Sequence, residues 1–308
     1  MIDAVAPIIL LIGLGVLVAW RELLPADGIG HVSNLTFRVF IPALLFYSMA
    51  RADLALLQWD VPLAYFGATV ALFLAAQAGL RLRGLDRKEA IARSMGMTFP
   101  NTVMLGIPVI TLAYGQPGLA SLLPILALNS LIMLGGPSIM IESGERSNRH
   151  GRLWGVVTTV QRALLHPFVV AIMVGLAWSS TGWSLPGAID QSLSMMSAAA
   201  TPMCLVVLGA SLAQQFELPM LRHSMLESLV KLLVHPLLVW LVGRYLVGLE
   251  PVPLAVVTVL GATSTGANVV LFAHRYQVAI GRVSAVAATT TALGVASLPI
   301  ILWLFGPL

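Results

Sequence analysis

Two polar, helix-breaking segments lie inside apolar stretches of this chain: Met97-Thr98-Phe99-Pro100-Asn101-Thr102 and Thr263-Ser264-Thr265-Gly266-Ala267-Asn268. A proline within a helix removes one hydrogen bond and clashes with the preceding turn, at a cost of about 3 kcal/mol. In lipid the freed backbone groups survive only against protein or a wet cavity. A helix that restarts after such a break has unpaired N–H groups and about half a positive charge at its new end. Two such ends facing each other at the membrane midplane would attract an anion without a buried lysine. Asn101 and Asn268 can donate amide hydrogens to a carboxylate, and Thr98, Thr102, Thr263, Ser264 and Thr265 add hydroxyls. Pro100 and Gly266 are the breakers themselves. The chemistry is recognition of a small anion. The plainer alternatives are a proline kink in the first segment and close packing of small residues in the second.

A second constellation is Glu227, Lys231 and His235, spaced along one helix face. Ionisable groups at membrane depth are expensive and usually face the bundle interior or a water path. One reading makes Lys231 a counter-charge for an anion, or His235 a proton-exchanging group. The other is an internal Glu227–Lys231 pair, with His235 bonded to a backbone carbonyl freed by Pro236. Both stand open at this point. Asn129 and Thr289-Thr290-Thr291 could line a cavity or tie helices together. Arg38 can snorkel to the nearer surface.

Enzyme chemistry finds no support. The chain has 13 Asp plus Glu, nearly all in loops or at span ends. It offers no buried aspartate pair, no acidic metal cluster and no Gly-rich phosphate loop with lysine, so neither cofactor nor metal is expected.

The elements that carry these residues follow from composition. Of the 308 residues 58% are hydrophobic and only 10% charged, with a mean hydropathy of +0.92. Soluble domains have about 25% charged residues, so the chain is an integral membrane protein. Its long apolar runs make it all-α and not a porin-like barrel. The net charge of +4 does not imply nucleic acid, because the basic residues sit in short loops between spans.

Ten apolar runs can be read, at approximately 5–24, 32–50, 61–81, 91–114, 119–141, 160–180, 192–214, 225–247, 252–274 and 282–305. The odd-to-even loops carry Arg21, Arg81, Arg83, Arg87, Lys88, Arg93, Arg146, Arg149, Arg152, Arg222, Arg275 and Arg282, against Arg51 and Arg244 opposite. That bias puts the former loops in the cytoplasm and both termini outside. Five spans per half make any internal repeat inverted. The expected division is a first five-helix repeat over 1–143, a cytoplasmic connector at 144–152, and a second, inverted repeat over 153–308. Pro7 and Pro167 are 160 positions apart, as are Pro42 and Pro202. Each half has its break in its own fourth helix.

Four stretches resemble one family: FPNTVMLGIPVI (99–110), KLLVHPLL (231–238), GANVVLFAHRY (266–276) and TTTALGVASLP (289–299). In this order, with ten spans and a central cytoplasmic loop, they resemble the auxin efflux carrier family. It includes plant auxin exporters and bacterial malonate or malate permeases. The resemblance implies a fold akin to bile acid/sodium symporters and sodium/proton antiporters. There, spans 1, 2, 6 and 7 form a scaffold, and spans 3–5 with 8–10 form a moving unit. The broken spans 4 and 9 cross at the substrate site, with Pro100, Asn101 and Asn268 at the crossing. Homodimerisation through the scaffold is implied as well. The second break here has Gly266-Ala267 and no proline, a departure from the first.

The expected function is therefore a secondary transporter of small organic anions in a bacterial inner membrane. Its cargo would be carboxylates or dicarboxylates such as malonate or malate, or auxin-like acids, moved by elevator-type alternating access. The alternatives are a sodium- or proton-coupled symporter of the same fold and a transporter-like receptor. Candidate substrate-binding residues are Pro100, Asn101, Thr102, Asn129, Thr265, Gly266, Asn268 and Thr291, with Lys231 and His235 as a candidate charge or proton site.

Overall fold

A computed structural model of the chain describes residues 2–23, 25–51, 59–145, 161, 165, 167–215 and 218–305. Most of the connector at 144–152 and the start of the sixth apolar run lie outside the described residues. The described residues are helical apart from turns and one isolated bridge.

In chain order the helices are α1 (Ile2–Trp20), α2 (Ala26–Leu35), α3 (Ile41–Ala50), α4 (Asp60–Leu82), α5 (Arg87–Thr98), α6 (Ile107–Ser130), α7 (Gly136–Glu145) and α8 (Pro167–Ser180). They continue with α9 (Gly187–Gln215), α10 (Leu218–Leu229), α11 (His235–Leu241), α12 (Pro251–Ala262), α13 (Ala267–Tyr276) and α14 (Ile280–Phe305). Six stretches among the described residues are long and apolar enough to cross a bilayer, among them Asp60–Leu82, Ser224–Val247 and Ile280–Phe305.

Short wide π turns join several of these helices, at Thr36–Phe40, Thr102–Gly106, Leu131–Gly135 and Val230–Val234. Each ends two residues before a proline, namely Pro42, Pro108, Pro137 and Pro236. The coincidence has a cause. Proline lacks the N–H that would close a regular turn, and its ring collides with the carbonyl four residues back. Opening one turn into a π bulge relieves both defects without ending the span.

The stretch Thr102–Ile141 runs 40 residues, about 60 Å of helix and twice the hydrocarbon thickness. Gly115, at φ 60° and ψ −144°, interrupts it. Only glycine adopts such a conformation cheaply. By contrast α12 and α13 have 12 and 10 residues, each about half a membrane crossing. At the start of α5 the Asp86 carboxylate accepts the Lys88 N–H, which holds its carboxyl below the usual range.

Two packing groups emerge. In the first, α1 packs along α9, and α3 packs against α8 and α9. Glycines let these backbones touch: a Cβ on Gly15 would strike Val206 O and Ala210 N, and one on Gly175 would strike Phe46 O and Ala50 N. In the second, α4 packs on α5 and α11, α12 on α6 and α11, and α14 on α5, α10, α12 and α13. Ile107 and Ile110 of α6 and Val256 and Leu260 of α12 are wholly buried where these two helices pack together.

Candidate functional site

The first break begins where α5 stops at Thr98. Phe99 is extended, and its N–H still reaches back to Met95 O at 2.8 Å. Pro100 cannot donate, so the next helix must start afresh. Asn101 starts it: its Oδ1 accepts the Met104 N–H at 3.2 Å, and its carbonyl accepts from Leu105 and Gly106. The second break begins after Ala262. Thr263 is extended with its hydroxyl turned back to Leu260 O, and helix resumes at Ala267 with Gly266 as its N-cap.

The two unwound segments pair with each other. The Asn101 N–H donates to Ser264 O at 2.7 Å, and the Gly266 N–H donates to Phe99 O at 3.1 Å. This makes an antiparallel bridge between Pro100 and Thr265. Each segment thereby satisfies backbone groups the other leaves open, which is what a break in an apolar setting requires. Gly266 is set by close approach: a Cβ there would sit 2.7 Å from Pro100 O and 3.0 Å from the Phe99 ring. The lack of a proline in the second break thus has a steric answer. Thr265 is fully engaged, its N–H donating to Thr290 Oγ1 at 3.0 Å and its hydroxyl donating to Gly96 O at 2.6 Å.

The structure therefore brings Pro100, Asn101, Thr102, Thr265 and Gly266 to one crossing. Two helix N-termini, at Thr102 and Ala267, start from it. Asn101 is buried at 8% exposure. Its cap uses Oδ1 alone, leaving Nδ2 with no protein acceptor among the described residues. Asn268 stands in the first turn of α13 and is exposed. The Ser264 hydroxyl is buried without a partner among the described residues, and so is Asn129 Oδ1, which lies at the far end of α6. Thr291 lines a narrow apolar cleft with Leu105, Gly294, Ile12 and Leu208, between the two packing groups.

Lys231 and His235 are both wholly buried. The Lys231 ammonium donates to Gly261 O at 2.6 Å and lies 3.2 Å from His235 Nδ1. His235 Nε2 lies 3.0 Å from Thr69 Oγ1, whose hydroxyl donates to Tyr65 O. Glu227 is not the partner of Lys231. Its two oxygens take Arg93 Nε and Arg282 Nε, each at 2.7 Å. The expectation of an internal Glu227–Lys231 pair is thus corrected: two arginines from α5 and α14 outcompete a lysine on the same helix. His235 likewise bonds a hydroxyl and not a carbonyl freed by Pro236.

Sequence reasoning missed Thr69, Arg93 and Arg282 as interior partners. Arg93 and Arg282 carried a signal, since each lies near the start of an apolar run, yet both read as loop charges. Thr69 carried none.

The chain as a whole resembles known proteins. The chain is 25% identical over 306 residues to the "Putative malonate transporter" of Rhizobium meliloti, covering 97% of this chain and 94% of that one. It is 26% identical over 245 residues to an "Uncharacterized transporter" of Methanothermobacter thermautotrophicus, covering 77% and 76%. It is 22% identical over 223 residues to auxin efflux carrier component 8 of Arabidopsis thaliana, covering 58% and 60%. The resemblance carried by the four motifs holds. Residues 1–303 match the membrane transport protein family, and this chain, a transporter and not an enzyme, belongs to it.

Proposed function

We propose that the protein is a secondary carrier of small organic anions, mono- or dicarboxylates, working by elevator-type alternating access in a bacterial inner membrane. The observation that carries this reading is the antiparallel pairing of Phe99–Asn101 with Ser264–Gly266. It sets two helix N-termini and a buried amide with a spare donor at one crossing, in a position suited to an anion. In this reading Asn101, Thr102 and Asn268 contact the cargo. Pro100, Thr265 and Gly266 shape the crossing, and Thr291 and Asn129 line the approach. The name of the Rhizobium relative makes malonate the first cargo to try.

The mechanism needs a still frame and a moving part. The α1, α2, α3, α8 and α9 group is the candidate frame and homodimer surface, and the group around α4–α6 and α10–α14 is the candidate carrier. An inverted repeat over 1–143 and 153–308 is supported by the glycine contacts. Gly15 and Gly175 are 160 positions apart, and their contacts run to Val206 with Ala210 and to Phe46 with Ala50, shifted by the same 160. Uptake of radiolabelled malonate and of indole-3-acetate into proteoliposomes tests the function. Saturable uptake of either, cross-inhibited by other carboxylates, is expected. Binding of both without flux would favour a receptor instead.

A further inference from the structure

Lys231 is a fully buried amine with no carboxylate facing it among the described residues. Around it stand the Gly261 carbonyl from α12 and His235 from its own helix, whose ring in turn meets Thr69 and Tyr65 of α4. Glu227, one turn earlier, is held by Arg93 and Arg282. The charge of Lys231 must therefore be met by something other than an acid. Gly261 supplies it. It lies in the last turn of α12, just before the second break, where unpaired carbonyls and the negative end of the helix dipole collect. A half-helix C-terminus at the middle of a membrane is a place where carriers hold a coupling cation.

We propose that Lys231 is a resident cation: its ammonium occupies the C-terminal end of α12 where a co-transported sodium ion would otherwise sit. The carrier's anion step is then independent of sodium. The inference rests on the crossing being the transport site, and it deepens that reading. The negative end of α12 is neutralised by a fixed charge, and the positive ends at Thr102 and Ala267 are left for the cargo. The neighbouring cluster adds no net charge, because Arg93 and Arg282 are balanced by Glu227 and Glu89.

The test is a thermal-melting comparison of purified protein in sodium chloride and in N-methylglucamine chloride at equal ionic strength. The parent should melt at the same temperature in both. Lys231→Ala should melt several degrees lower in N-methylglucamine chloride and recover saturably with sodium or methylammonium, but not with bulky tetramethylammonium. Saturable stabilisation of the parent by sodium would overturn the proposal. So would a Lys231→Ala protein indifferent to every cation. If Lys231→Ala does not fold, Lys231→Arg and Lys231→Met decide. Charge retention in Arg should preserve the parent's melting, and a Met variant melting like the parent would overturn the idea. Absence of malonate uptake by the parent in both salts would count against the proposed function alone, because the melting comparison reads the cation site without any cargo.

Discussion

Asn101 does two jobs with one side chain, and the two can be separated. Its Oδ1 caps the restarted helix at Met104 N, while its Nδ2 has no protein acceptor among the described residues. Asn101→Asp keeps the capping oxygen and removes the donor, placing a negative charge at the crossing. We expect it to melt within a few degrees of the parent yet lose anion binding by roughly 10- to 100-fold, the worth of a hydrogen bond to a charged group. Binding equal to the parent's would remove the crossing from the site. The residue types needed for this role were legible, because Pro100 and Asn101 carry local signals that require no partner to be seen. The hydrogen bonds that tie this segment to the other, Asn101 N–H to Ser264 O and Gly266 N–H to Phe99 O, were not, since the partner segment lies about 165 positions along the chain. For the same reason Asn268 read as the twin of Asn101. It caps nothing and stands exposed in the first turn of α13.

At the scale of elements, the crossing depends on two helix breaks approaching without side chains between them. Gly266→Ala would force a methyl group to within 2.7 Å of Pro100 O. The expected cost is about 1–3 kcal/mol, read as a lower melting temperature together with loss of transport. Glu227 joins three helices, α10 to α5 and α14, through Arg93 and Arg282. Glu227→Gln strips Arg282 of this carboxylate and leaves Arg93 only the more exposed Glu89, for a loss of about 3 kcal/mol. Because Lys231 bonds elsewhere, the effects of Glu227→Gln and Lys231→Met should add within about 0.5 kcal/mol. A double variant more stable than either single one would show that the two side chains are paired after all. Periodicity located these helices well but said little about such joints. A charge at the edge of an apolar run looks the same whether it meets water or a neighbouring helix.

At the scale of the molecule, the distribution of lysine and arginine predicts which loops face the cytoplasm. Arg83 follows α4 and Thr181 follows α8, and both are exposed. Cysteines at these positions on a Cys204→Ala background should label from opposite sides of the membrane, 181 from outside and 83 only after permeabilisation. The reverse pattern would invert the orientation. Cys204 is the single cysteine of the chain, so its replacement removes background labelling. The division into two groups of helices was legible only through the family resemblance, because packing partners do not announce themselves in composition.

The contact between Lys231 Nζ and His235 Nδ1 has a consequence for where one proton resides. An ammonium has only hydrogens to offer, so Nδ1 must present its lone pair, and the ring proton belongs on Nε2. From there it points at Thr69 Oγ1, whose own hydrogen is committed to Tyr65 O. Every link then runs in one direction, from amine to imidazole to hydroxyl to carbonyl, and reversing one would set donor against donor. His235 is thereby locked in a single tautomer. In selectively ¹⁵N-labelled protein its two ring nitrogens should give widely separated resonances, one protonated and one bare, and Lys231→Met should let the two tautomers exchange.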